Sequence, residues 1–586
     1  MSIRRTFFLL TLLMIALTAC QPSAPAVDPN TGVVSRPNNA IDVSIIYAPE
    51  SEQYMPQLIN DFNRAYAEGR NPVTGQPLTS GERPIYVTGE DGSSGTVMQG
   101  IVNAFIAPNN ANVSQPVIFQ PSVSHWLALA NYYVGRPVFD LAQSQATALA
   151  PVVMAIWESR LEAIRRTVGY EDIGWEELLA VLNAPNGWAD YGIPDGRRAV
   201  FYGHTDPLVS STGLSTLIAE FYAAARADGF TGRRLTRTEV NDAEVQAGVR
   251  DIEQLIRHYS SRTTEFKEYI AQGPEYLDFV ALEENDLIYI NRGLTEYQPP
   301  ERLVALYPKE GTFWHEHPMG IITAPWVTTE QQDAARVFVQ YVLLPDPQRL
   351  IMSQGFRPAN PDVPLEFPFV AENGVDPLQP TTVLDVPEPE VIASIQQSWA
   401  LVKKQADILL VIDISGSMST DGKIDQAREA ALAFLEGMES NNRIGLAVFS
   451  DDFELRVPID DYERVQREME VNIRGLRADG GTELFQSVAL SVNLMNEQAD
   501  DDRIRAVIVL SDGADTGDLG FTLNDAINAI ESSEDTLNPV IVVPVAYGSD
   551  ADIQALNALA RASNTRVQAG DPDNIQRVLD LIGSYF

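Results

Sequence analysis

Residues 407–419 read DILLVIDISGSMS, with Asp413, Ser415 and Ser417 at alternate positions on a turn of small residues. One carboxylate and two hydroxyls offer oxygen alone, with neither imidazole nor thiolate, and this suits a hard divalent cation such as Mg²⁺ and disfavours zinc. The turn carries one formal charge, so further oxygen has to come from elsewhere in the chain. Taken alone, Asp-x-Ser-x-Ser is more often a helix-capping turn that binds nothing. The apolar run before it, Ile408 to Ile412, has the pattern of a central parallel strand covered on both faces. The turn then sits at that strand's carboxyl end, where open α/β sheets bind ligands.

Two later segments supply more oxygen. Gly480-Gly481-Thr482 opens a helical tract, and the apolar run Ala506 to Leu510 ends in Ser511-Asp512-Gly513. With Thr482 and Asp512 added, the turn resembles the metal-ion-dependent adhesion site of the von Willebrand factor A family, and each of the five positions holds the family's residue type. The resemblance spans Asp407 to Phe586. It implies that Ser415, Ser417 and Thr482 touch the ion, while Asp413 and Asp512 act mainly through water or by orienting the ligands. The ion is expected to be Mg²⁺, with Mn²⁺ or Ca²⁺ as alternatives, and its open position would take a carboxylate from a partner protein. That is adhesion, without bond breaking.

The elements that must hold these residues follow a doubly wound rhythm from residue 406 to 586. Helices are expected over 424–438, 462–474, 484–497, 521–530, 553–562 and 575–582. Strands are expected over 444–449, 453–458 (an antiparallel edge), 505–510 and 540–546, where Pro544 argues for an edge or a bulge. Residues 387–404 begin with alternating Pro and Glu and continue as one amphipathic linker helix, so 387–405 joins this domain to what precedes it.

A chain of 586 residues exceeds the ~250–300 residues at which single cores stop growing, so two or three domains are expected. The net charge of −39 argues against a nucleic-acid partner, which calls for a basic footprint. Residues 1–20 carry Arg4 and Arg5 and then an apolar run too short to span a bilayer of ~30 Å, which is the pattern of a secretion signal. Leu17-Thr18-Ala19-Cys20 resembles the bacterial lipobox, and Cys20 is the chain's one cysteine. The expectation is a lipid anchor at Cys20, a flexible tether over 21–40, and soluble domains on a cell membrane facing the periplasm or the exterior.

From residue 41 strands alternate with helices, the βαβ rhythm of a parallel, layered α/β body. Strands are expected over 43–47, 85–88, 117–119, 199–202, 287–290, 303–307 and 319–323, with helices over 54–67, 97–106, 126–133, 214–226, 245–260 and 330–344. The ordering, with IIYAPESEQYMPQLINDFN, GHTDPLVSSTGLSTL and LYPKEGTFWHEHPMGIITAPW, resembles type 2 periplasmic-binding, extracellular solute-binding proteins over residues 41–386. It implies two lobes that close on a small solute. Candidate cleft donors are Ser51 and, at helix starts where amides and dipole favour anions, Ser94, Ser124, Ser211 and Thr212, although at any one of these starts an ordinary cap is the commoner role. Arg357 could pair with an anion. His315-Glu316-His317 lacks a third ligand at metal spacing and reads as an exposed strand end. Trp126, Trp157, Trp175 and Trp314 could line a sugar cleft, with core packing the default.

The fold class is therefore α/β: a two-lobed periplasmic-binding-like domain followed by a doubly wound, Rossmann-like von Willebrand factor A domain. The expected function is a membrane-anchored binding protein that combines solute capture with Mg²⁺-dependent protein contact. The alternative is an ABC-transporter receptor with the second domain as accessory. No nucleophile elbow, phosphate loop or cysteine nucleophile points to an enzyme.

Overall fold

The computed structural model describes residues 34–583 except 107, 109–112, 195–199, 258, 261, 498–502, 517–518, 535–538, 549, 564, 566 and 573–574. The expected signal, Cys20 and most of the tether lie outside the described residues.

The chain is α/β throughout. Its first body holds β1 (Ile41–Tyr47), β2 (Ile85–Asp91), β3 (Ile118–Gln120), β4 (Gln145–Ala146), β5 (Ala148–Trp157), β6 (Tyr202–Gly203), β7 (Phe279–Glu283), β8 (Leu303–Leu306), β9 (Trp314–His315), β10 (Pro318–Ile321) and β11 (Arg357–Pro358). They form two sheets, ordered β2-β1-β3-β10-β4 and β11-β5-β7-β6, with β8 and β9 also paired to β5. Each sheet is the floor of one lobe. The chain passes between lobes after β4, again before β10 and a third time before β11, and the first two crossings are stitched together: the Thr147 amide donates to the Glu316 carbonyl at 3.2 Å, and the Thr147 hydroxyl to the His317 carbonyl at 2.6 Å.

Three expectations change here. Residues 287–290 belong to the helix Glu284–Asn291, and the strand of that region is β7, just upstream. The strand expected over 199–202 is confined to Tyr202–Gly203 among the described residues. The ten-residue β5, which pairs with β7, β8, β9 and β11, answers to no expected strand.

The linker helix Pro389–Val402 lies against the first body, in contact with the helix His125–Val134 of the first lobe and the helices Ser211–Ala227 and Ala243–Glu253 of the second. Trp399 anchors it, fully buried between the Tyr259 and His204 rings at 5.2 and 5.8 Å.

The third sheet contains β12 (Gln405–Asp413), β13 (Arg443–Phe449), β14 (Phe453–Asp461), β15 (Arg503–Ser511), β16 (Val540–Tyr547) and β17 (Gln568–Gly570), ordered β14-β13-β12-β15-β16-β17. Only β14 runs antiparallel. Alternation along the strands sends Ile408, Leu410 and Ile412 into one core and Leu409 and Val411 into another, as a sheet covered by helices on both faces requires. Pro544 causes no bulge, since its register with β15 is unbroken, and β16 is not an edge strand; β17 pairs only from Val545, which leaves Pro544 no ladder partner on that side.

Candidate functional site

At the carboxyl end of β12 the chain turns through Ser415 and a short 3₁₀ segment, Gly416–Ser419. The Asp413 carboxylate is buried and accepts from the Ser415 amide and from the Ser511 hydroxyl, both at 2.8 Å. Burial is the main reason its pKa is pushed up to about 6, with the two serines opposing and Asp512 adding to the rise. Ser415 Oγ and Ser417 Oγ lie 3.0 Å apart, and Ser417 donates to Asp512 Oδ1 at 2.7 Å. Gly513 faces both Ser417 Oγ and Thr482 Oγ1, each 3.7 Å from where a Cβ on that glycine would sit. The turn after β12, the Gly480–Thr482 loop and the end of β15 thus bring Asp413, Ser415, Ser417, Thr482 and Asp512 to one place.

The loops are bound to one another by their backbones. The Gly416 amide donates to the Gly480 carbonyl at 3.0 Å, Asp479 to Ile414 at 2.7 Å, and Thr516 to Thr482 at 2.7 Å. Gly480 has φ +87°, and a Cβ there would meet Asp451 Oδ2 at 2.9 Å. The positive φ is what favours glycine there, and its neighbour Gly481 donates its amide to Asp451 Oδ1 at 2.6 Å.

Sequence reasoning missed Lys423. It is the first residue of the helix Lys423–Glu436, and its buried Nζ lies 2.8 Å from Asp512 Oδ2. Its place ten residues after Asp413 was the one available signal. Ser511 was also missed as a donor to Asp413. The donor set fits a hard divalent ion: three hydroxyls and two carboxylates, one of them, Asp413, held above its usual range mainly by burial. Asp512 turns one oxygen to Ser417 and the other to Lys423.

In the first body, the lobes meet over a buried polar seam. Ser94, at the start of the helix Ser94–Ile106, accepts from Ser211 at 3.1 Å, and Ser211 accepts from Trp126 Nε1 at 3.0 Å. Ser51 lies 2.9 Å from the Tyr54 hydroxyl and 3.4 Å from His317 Nδ1. Thr212 Oγ1 accepts from Thr263 at 3.3 Å, and the half-buried Ser124 donates its amide to Glu316 Oε1 at 3.3 Å. Ser51, Ser94, Ser211 and Thr212 are all buried.

Two readings of this region are corrected. Arg357 does not await an external anion: it is buried and grips Glu284 through Nε and Nη2, both at 2.7 Å. His315 and His317 are not an exposed strand end. Both are fully buried and approach opposite oxygens of Glu283, at 2.7 and 3.1 Å. Desolvation opposes that carboxylate's ionisation, but the two imidazoles outweigh it and hold its pKa well below the usual range. Trp126, Trp157 and Trp175 are buried as core, and half-buried Trp314 stacks under Arg357.

Residues 408–514 match the family model described as von Willebrand factor type A domain. Among solved structures, the chain is similar to a von Willebrand factor type A protein from Catenulispora acidiphila, at 20% identity and a TM-score of 0.28, over 31% of this chain and 43% of that one. It is similar to the conserved hypothetical protein BatB from Bacteroides thetaiotaomicron at 17% identity and a TM-score of 0.26, over 31% of this chain and 98% of that one. A periplasmic thiamin binding protein aligns over 62% of this chain and 98% of its own, at 11% identity and a TM-score of 0.41. No curated protein matches the chain.

Proposed function

We propose that this protein is a lipid-anchored, extracytoplasmic binding protein that captures a small solute in its two-lobed body and a protein partner through a divalent cation on its von Willebrand factor A domain. The observation that carries the reading is the meeting of five oxygen-bearing residues from three separate loops, with Ser417 bonded to Asp512 at 2.7 Å. Ser415, Ser417 and Thr482 would hold the ion, and Asp413 and Asp512 would supply the negative field that retains it. Bound there, Mg²⁺ would supply an electrophilic position for a partner's carboxylate. The chain's own residues perform no bond-breaking step in this reading.

The anchor at Cys20 rests on the lipobox-like sequence, and no helix of the described residues is long and apolar enough to cross a membrane. The test is titration calorimetry with Mg²⁺ and Mn²⁺ on the full soluble chain and on Asp413→Ala, followed by capture from membranes with and without EDTA. Binding at one site in the parent, lost in the variant together with a captured protein, supports the reading. Equal Mg²⁺ affinity in both would refute it and leave the transport-receptor alternative.

A further inference from the structure

A second, chemically different cluster lies inside the second lobe. His204 follows β6, Glu220 lies on the helix Ser211–Ala227, and Glu253 ends the helix Ala243–Glu253. All three are fully buried, and one ligand atom from each falls within 4.8 Å of the other two.

His204 Nδ1 lies 2.7 Å from the Thr205 carbonyl oxygen. A carbonyl only accepts, so Nδ1 carries a proton, and Nε2 is the ring nitrogen turned inward. Nε2 faces carboxylate oxygens, 3.1 Å from Glu253 Oε1 and 3.9 Å from Glu220 Oε1. Tyr202 donates to Glu220 Oε1 at 3.2 Å and Tyr259 to Glu253 Oε2 at 2.7 Å. Glu220 Oε2 is buried with no hydrogen-bond partner. Two carboxyl groups and an imidazole nitrogen, buried and directed at one point, form a set of donor atoms that a cation between them would satisfy.

We propose that His204, Glu220 and Glu253 bind a divalent transition-metal ion, Zn²⁺, within the second lobe, with Tyr202 and Tyr259 fixing the two carboxylates. One nitrogen and two carboxylate oxygens are zinc's donor types, unlike the all-oxygen set at the adhesion site. Tetrahedral coordination at about 2.0–2.2 Å has edges of roughly 3.3–3.6 Å, the range that the two Nε2 distances bracket. The phenols and the Thr205 carbonyl serve as the outer partners that orient such ligands. The site also reaches the joint between domains. His204 and Tyr259 pack on Trp399, and the Lys404 amide, one residue before β12, donates to the Tyr259 hydroxyl at 3.1 Å. The ion would stiffen the seat of the linker helix.

The full soluble chain, stripped by chelator in denaturant, is refolded with Zn²⁺ in excess Mg²⁺, desalted and assayed for bound zinc and for its unfolding temperature. About one zinc per chain is expected in the parent and in Asp413→Ala, with a zinc-dependent rise in unfolding temperature, and neither in Glu220→Gln. Zinc lost in Asp413→Ala, or retained equally in Glu220→Gln, overturns the proposal. Because the substituted chain could fail to refold, Co²⁺ in refolded Asp413→Ala provides an independent readout. An intense four-coordinate visible band supports the site, and no band beyond that of free Co²⁺ overturns it.

Discussion

Lys423 Nζ lies 2.8 Å from Oδ2 of Asp512, whose other oxygen receives the Ser417 hydroxyl. The ammonium sits behind the carboxylate and cancels part of the charge that would hold a cation in front. Removing one partner of a buried pair leaves the other uncompensated, at about 3–5 kcal/mol. Lys423→Met should therefore lower metal-free stability by about that much and tighten Mg²⁺ binding roughly tenfold, a factor worth ~1.4 kcal/mol. Calorimetry and denaturant melts with and without Mg²⁺ check both, and weaker Mg²⁺ binding in the variant would contradict this account.

Glu50 provides a pH test. Its carboxyl is fully enclosed and accepts from Ser122 at 3.1 Å; burial first, then the charges of Glu283 and Asp286, push its pKa up to about 7, with His317 opposing. The folded value lies above the unfolded one, so the stability tied to the neutral acid is complete below the unfolded pKa and is lost as pH rises through about 7. Glu50→Gln should gain on the parent by on the order of 2–3 kcal/mol between pH 5 and 8.5. Melts at the two pH values decide it, and a difference that does not change with pH would reject it.

Gly95 closes the lobes on one another. Its amide donates to the Val209 carbonyl at 2.9 Å, and a Cβ would fall 2.1 Å from the Leu208 carbonyl oxygen. Gly95→Ala is expected to part the lobes at a cost of about 1–3 kcal/mol. Small-angle scattering should report a larger radius of gyration, and an unchanged radius with unchanged stability would show that the contact is dispensable.

Trp399→Ala empties the pocket between Tyr259 and His204. A large aromatic-to-alanine change in a core costs about 3–5 kcal/mol. Because the core runs without a break from the lobes through the linker helix to one face of the third sheet, the parent should melt as one unit and the variant in two steps. Scanning calorimetry distinguishes these outcomes.

The second domain was legible because its strands are local apolar runs and its candidate site follows a fixed spacing after one of them. The first body was harder to read. Leu287 to Ile290 form a short, partly β-branched hydrophobic run that by itself does not distinguish a strand from a buried helix, and they lie in the helix Glu284–Asn291, whose first turn is the buried Glu284, Asn285 and Asp286. β5 contains Pro151 and is apolar on both faces, so it shows no alternation to mark it. His315 and His317 looked exposed because their acid, Glu283, lies 32 and 34 residues away. His204, Glu220 and Glu253 are spaced like no motif, and only the packing of the helices Ser211–Ala227 and Ala243–Glu253 on one another, beside the residue that follows β6, unites them. Lys423 was visible as a residue, but its role depends on Asp512, 89 positions later.

The linker helix leans on helices from both lobes at once and continues into the strand that ends at Asp413. Any swing of one lobe against the other must drag or twist this strut, since it cannot follow both. On the proposed function, a captured solute would thereby change the heading of the loops that carry Asp413, Thr482 and Asp512, much as a rudder answers a tiller, with no rearrangement inside the third sheet.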